Sequence, residues 1–157
     1  MLFRSLPPEN IHRIIGEHEP HDAAKEYEDT LKAFFGGTGL PVLDLIFLGL
    51  GEDGHTASLF PHTEALNAQG AWVLPNFLEE HHTWRVTLSA DTINAAAKVV
   101  FLVTGDAKAG RVRDVLEGEH KPETFPAQLI APTDGDLIWL LDEEDRKSTR
   151  LNSSHAD

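Results

Sequence analysis

The nine residues Val42-Leu43-Asp44-Leu45-Ile46-Phe47-Leu48-Gly49-Leu50 constrain the fold of this chain most. Apolar side chains occupy both odd and even positions, so a strand built from them would present apolar groups on both faces. Such strands belong in parallel sheets covered on both sides, and the glycines at the end mark the turn into a loop. Residues 22–35 lie upstream, with Ala23, Tyr27, Leu31 and Phe34 expected on one helical face, and Gly36-Gly37 is expected to stop that helix. Further strands are expected at 71–73, 84–88, 99–104 and 137–141, with helices near 91–97 and 107–116, the latter closed by Gly118. The alternation predicts an α/β fold with a Rossmann-like parallel sheet flanked by helices. At 157 residues the chain is long enough for one core and too short for two ordinary domains, so 1–147 is read as a single unit.

Composition narrows the function. A formal charge of −13 argues against nucleic acid and anionic membrane surfaces, which reward clustered Lys and Arg. Cysteine is absent, which excludes thiolate nucleophiles, disulfides and cysteine-based metal sites. No apolar run approaches the roughly 20 residues needed to span a bilayer, and the first residues lack a signal-peptide core, so a cytoplasmic location is expected. Residues 148–157 follow a charged run and offer little to a core; they are expected to be a disordered tail, non-native in origin. Glu143-Glu144-Asp145 reads as a solvated acidic turn.

The loop after the apolar run, Gly49-Leu50-Gly51-Glu52-Asp53-Gly54-His55, is the candidate site. Ligands of open parallel sheets bind outside the carboxyl ends of strands, and glycines let a backbone approach a ligand closely. His55 supplies the side chain whose unperturbed pKa suits proton transfer near neutrality. Gly49, Gly51 and Gly54 also satisfy G-x-G-x-x-G, but Glu52 and Asp53 would bring negative charge to a pyrophosphate. Pro61 also leaves little room for the helix that such a site needs. The bland alternative is a tight turn with a surface histidine.

Two basic residues are candidates for an anion site. Arg85 opens a strand, where its guanidinium would grip phosphate in bidentate fashion or lie exposed at the strand end. Lys108 stands in the first turn of a helix, where a cation is mildly unfavourable unless an anion joins it; the alternative is a solvated lysine. His18, His21 and the adjacent pair His81-His82, placed on a strand with opposite-facing side chains, carry no ligand spacing and are read as surface residues. Trp72, Trp84 and Trp139 are expected to be buried.

The segment Gly51-Glu52-Asp53-Gly54-His55-Thr56-Ala57-Ser58-Leu59-Phe60-Pro61 resembles the signature of 6-phosphogluconolactonases, and the resemblance continues through 8–14, 84–88, 103–109 and 126–130. Related sugar-phosphate deaminases share Asp-Gly-His but continue with Ala-Phe-Asn-Glu-Pro. The resemblance implies hydrolysis of a small phosphorylated sugar lactone, 6-phosphogluconolactone, to 6-phosphogluconate, with neither metal nor organic cofactor. His55 would be the general base toward water, Asp53 would orient it or the loop, and Arg85 and Lys108 would hold the phosphate. Backbone N–H groups from Gly49 to Gly54 would stabilise the oxyanion. The family's first strand with its Gly-Gly-Ser loop, and an Asp-Glu-Arg motif, have no counterpart here. The expectation is therefore a chain N-terminally truncated relative to the family, with a sheet lacking strands and activity in doubt. A deaminase or isomerase and an inactive sugar-phosphate-binding fragment remain the alternatives.

Overall fold

The structure is a computed structural model that describes residues 6–37 and 39–142. The acidic turn expected at 143–145 and the tail expected at 148–157 lie outside the described residues. The first long element is helix α1, Pro20–Phe35. Pro20 sits in its first turn, and the Glu19 carboxylate caps it by accepting from the N–H groups of His21 and Asp22 at 2.9 and 3.3 Å. Gly36, at φ +86°, ends it in the left-handed conformation that glycine adopts without strain. Its buried stripe runs through Ala23, Ala24 and Leu31, with Tyr27 and Phe35 beside them. Phe34, expected on that face, is 76% exposed because it falls on the margin of the stripe in the last turn.

Strands β1 (Ile46–Leu48), β4 (Lys98–Val103) and β5 (Asp136–Leu141) form a parallel sheet in the order β1-β4-β5, with Leu48 beside Phe101 and Phe101 beside Trp139. Between them in sequence, β2 (Val73–Leu78) and β3 (Thr83–Leu88) form an antiparallel hairpin in a sheet of their own. Short helix α2 (Ala90–Asn94), capped by Ser89, leads into β4, and α3 (Ala109–Glu117) follows it. One face of the parallel sheet carries Leu48, Val99, Phe101 and Val103, packed with Leu50, Leu59, Ile93, Val112 and Ile130 into the main core. Trp139 stacks flat on Phe101 at 4.0 Å. Burial of each large apolar side chain in such a core contributes about 1.5–3 kcal/mol.

Several expectations change. The apolar run supplies only three strand residues, and it is not buried on both faces: Phe47 is 60% exposed, and Leu102 and Leu140, on the same face, are 48% and 51% exposed. In the sheet order β1 pairs only with β4, and α2 and α3 pack on the other face, while α1 lies against the hairpin. The strand expected at 71–73 instead starts at Val73 and runs to Leu78, through Pro75 and a buried Asn76. His81 and His82 are not on a strand; they make the turn between β2 and β3, with His82 at φ +44°. Trp84 is 42% exposed, not buried, because it sits on the hairpin face turned to an open cavity against His21 and Phe77. Gly118 does end α3, but in extended backbone; a Cβ there would stand 2.3 Å from the Asp114 carbonyl oxygen.

Candidate active site

The glycine loop leaves the end of β1 and folds back on itself. Gly51 N–H donates to the His55 carbonyl at 2.9 Å, and Gly54 N–H donates to the Gly51 carbonyl at 3.1 Å. Gly54 needs its glycine because φ is +87° and a Cβ there would press on Phe125 and Arg111 at 3.0–3.3 Å. Gly51 needs its own for a different reason: a Cβ there would lie 2.2 Å from His55 Nδ1 and 2.6 Å from Asp53 Oδ1. The loop is therefore shaped so that one histidine and one aspartate close over a bare Cα.

Those two side chains are bonded to each other. Asp53 Oδ1 accepts from the His55 backbone N–H at 3.1 Å and lies 2.6 Å from His55 Nδ1. Burial pushes the Asp53 carboxyl up, but the hydrogen bonds from the His55 backbone and ring more than offset it, so it titrates below its ordinary value. An ionised carboxylate can only accept, so in the neutral imidazole the hydrogen belongs on Nδ1 and the lone pair on Nε2. Phe60 stacks on the ring at 4.0 Å, fixing its plane.

The remainder of the motif anchors the loop. Thr56, fully buried, donates through Oγ1 to the Gly49 carbonyl at 2.8 Å and joins the two ends of the turn. Ser58 N–H donates to Thr87 Oγ1 on β3 at 3.1 Å, and Asn76 Nδ2 on β2 donates to the Ser58 carbonyl at 2.9 Å. Ala57, between these anchors, is held at φ +50°, a conformation that costs a non-glycine residue about 1–2 kcal/mol.

A cleft of about 360 Å³ opens beside the loop, lined by Gly49, Leu50, Gly51, His55, Ala57 and Lys108. Lys108 ends the single 3-10 turn before α3 and stands at that helix's N-cap position. The structure thus brings His55, two of the three loop glycines and Lys108 to one cavity. Gly54 does not line it. Arg85 does not line it either: it is exposed on β3, within 3.5 Å of Thr83 Oγ1, although it shares a strand face with Thr87, which holds Ser58. The N–H groups of Gly51, Gly54 and His55 are engaged inside the loop, so an oxyanion donor has to come from elsewhere in it. A larger cavity of about 860 Å³ meets the other side of Asp53 and Phe60 and extends to Trp84 and Glu79.

The histidines set aside on sequence have local partners: His18 lies 2.9 Å from Glu26 and His21 lies 3.0 Å from Glu19. Among the described residues no group of three or more His, Asp or Glu is placed to hold a metal ion, and no helix is long and apolar enough to cross a membrane. Sequence reasoning missed Arg111, whose Nε donates to the Glu52 carbonyl at 2.7 Å, and it gave Phe60 no role. The spacing of Arg111 three residues beyond Lys108, on one helix face, was the signal available.

The chain is 39% identical over 148 residues to a 6-phosphogluconolactonase of Synechocystis, covering 92% of this chain and 60% of the relative. It is 37% identical to the human 6-phosphogluconolactonase, covering 88% and 54%. The solved 6-phosphogluconolactonase of Trypanosoma brucei superposes with a TM-score of 0.70 at 33% identity, over 82% of this chain and 53% of that one. The chain therefore spans between half and three-fifths of the length of the relatives it matches. Residues 1–139 match the family described as "Glucosamine-6-phosphate isomerases/6-phosphogluconolactonase", and this, with the Asp53–His55 loop, shows that the chain belongs to the glucosamine-6-phosphate isomerase/6-phosphogluconolactonase family.

Proposed function

We propose that this chain carries the lactone-opening site of a 6-phosphogluconolactonase, hydrolysing 6-phosphogluconolactone to 6-phosphogluconate in the oxidative pentose phosphate pathway of the cytoplasm. One observation carries the reading: a histidine whose Nδ1 lies 2.6 Å from Asp53 Oδ1 lines the same cleft as Lys108. In this reading Lys108 receives the phosphate of the substrate, with Arg85 approaching from the hairpin, and the lactone carbonyl lies over the loop. Water attacks the carbonyl carbon as His55 Nε2 takes its proton, a contribution typically of 10²–10⁴-fold. The tetrahedral intermediate collapses by breaking the bond to the ring oxygen, and the imidazolium returns the proton to that oxygen, which leaves as the hydroxyl of the opened chain. Asp53 stays ionised and stabilises the imidazolium between the two transfers. No step calls for a metal or an organic cofactor.

The relatives named above are 6-phosphogluconolactonases at 33–39% identity, and Thr56 to Pro61 follow the lactonase signature, which supports this reading over the isomerase reading that the family also includes. Two assays on the chain separate them. Opening of 6-phosphogluconolactone faster than its spontaneous hydrolysis, with no turnover of glucosamine 6-phosphate, is the expected result. Turnover of glucosamine 6-phosphate, or lactone opening no faster than in buffer, would overturn it.

A further inference from the structure

We propose that Arg111 is a positioning residue for the Asp53–His55 pair, holding their loop at a fixed place relative to the Lys108 end of α3; this rests on the hydrolase reading above. Arg111 lies in the first turn of α3, three residues after Lys108. Its Nε donates to the Glu52 carbonyl at 2.7 Å across 59 residues of sequence. Two further contacts aim it: Nη1 bonds Asp114 Oδ2 at 3.1 Å, and the guanidinium lies 4.7 Å over the Phe125 ring. A planar fork fixed on one edge by a carboxylate and on its face by an aromatic ring is pre-organised for the third bond, so little freedom is lost in making it.

The bond falls at a sensitive point. Glu52 O belongs to the peptide that enters Asp53. The Gly54–His55 peptide, one further on, is anchored as well, because the Gly54 carbonyl accepts from Ala127 N–H at 3.0 Å. Asp53 is thus suspended between two clamps, and its carboxylate in turn holds both the backbone and the ring of His55. Release of the Arg111 clamp lets the Glu52–Asp53 peptide rotate, which carries the base with it. Since the clamp springs from the helix that begins at Lys108, it also sets the separation of base and anion site. The core is not involved: α3 is buried through Ala109 and Val112.

The test compares the full chain with Arg111→Met, which keeps the stem and loses the donors, with Arg111→Lys, which restores one donor, and with Arg113→Met on the exposed side of α3. Long-range proton–nitrogen spectra of labelled histidine report the His55 tautomer, and lactone hydrolysis reports kcat and KM. Wild type and Arg113→Met are expected to show His55 with its hydrogen on Nδ1. Arg111→Met is expected to populate the other tautomer and to lose about tenfold or more in kcat with KM changed by less than about twofold, and Arg111→Lys to recover part of both. An Arg111→Met protein with the wild-type tautomer would overturn the proposal, as would one that no longer folds, since Arg111 would then be a stability element. If wild type itself hydrolyses no lactone, the hydrolase reading fails while the tautomer still decides the role of Arg111.

Discussion

Adding one methyl group at Gly51 strikes the Asp53–His55 pair without removing either side chain. The new Cβ would stand 2.2 Å from His55 Nδ1, 2.3 Å from its Cε1 and 2.6 Å from Asp53 Oδ1, all well inside contact distance. Relief requires the ring to move outward by more than 1 Å, about the difference between 2.2 Å and an ordinary contact of roughly 3.5 Å. A shift of that size breaks the Nδ1 bond to Asp53, and a misplacement of about 1 Å costs on the order of 10²-fold in rate. Overpacking of the turn adds about 1–3 kcal/mol of destabilisation, because Gly51 N–H also closes the loop onto the His55 carbonyl. Gly51→Ala is therefore expected to retain the fold, melt lower than wild type, and lose about 10²-fold in kcat for lactone opening. Lactone hydrolysis followed by proton release, together with thermal unfolding by circular dichroism, measures both. Full activity in a folded Gly51→Ala chain would refute the reasoning, since the methyl group and the observed Asp53–His55 geometry cannot coexist.

Two glycines of one helix should respond oppositely to alanine. A Cβ at Gly118 would meet the Asp114 carbonyl oxygen at 2.3 Å, whereas one at Gly110 meets nothing within 4 Å, so Gly118→Ala should destabilise by about 1–3 kcal/mol and Gly110→Ala should stabilise by up to about 1 kcal/mol in chemical denaturation. Glu28 accepts from Trp72 and Val73 N–H at 2.8 and 3.1 Å and pairs with Lys32; burial raises its carboxyl, but the Lys32 and backbone bonds outweigh that and leave it lowered. Its stabilising contribution is present above its unfolded value and is lost as pH falls through the lowered folded one, so wild type should lose stability in acid more steeply than Glu28→Gln in melts at stepped pH. The open sheet face of Phe47, Leu102 and Leu140 should drive concentration-dependent self-association, which Leu102→Lys with Leu140→Glu should reduce in sedimentation velocity; equal behaviour would mean that this face is not what associates.

The candidate site was legible where its geometry is local. Asp53 and His55 are two residues apart, and a turn built on Gly51 and Gly54 brings them within hydrogen-bond reach of each other. Strands β4 and β5 were legible within a residue as uninterrupted apolar runs. What depends on distant pairing was not legible. The second strand carries Pro75 and Asn76, which break the apolar alternation; Asn76 is tolerated there because its amide finds Ser58 O and Thr63 Oγ1 at 2.9 and 3.2 Å. The run at 42–50 reads as buried on both faces, yet burial is decided by which elements pack on it, and α2 and α3 cover only one side. Arg85 and Lys108 looked equivalent in sequence. Their separation in the structure follows from the antiparallel hairpin, which puts Arg85 in a different sheet from the strand that leads to Lys108. Arg111 acts across 59 residues; its spacing from Lys108 marks a shared helix face but does not reveal the Glu52 carbonyl as its partner.

The central claim is that His55, aimed by Asp53, is the base that activates water on a phosphorylated lactone. It is tested most directly by the rate of 6-phosphogluconolactone opening, above the spontaneous rate, for wild type and folded His55→Ala. The account predicts a loss of about 10²–10⁴-fold in kcat on removal of the imidazole. A folded His55→Ala chain that opens the lactone as fast as wild type would contradict it.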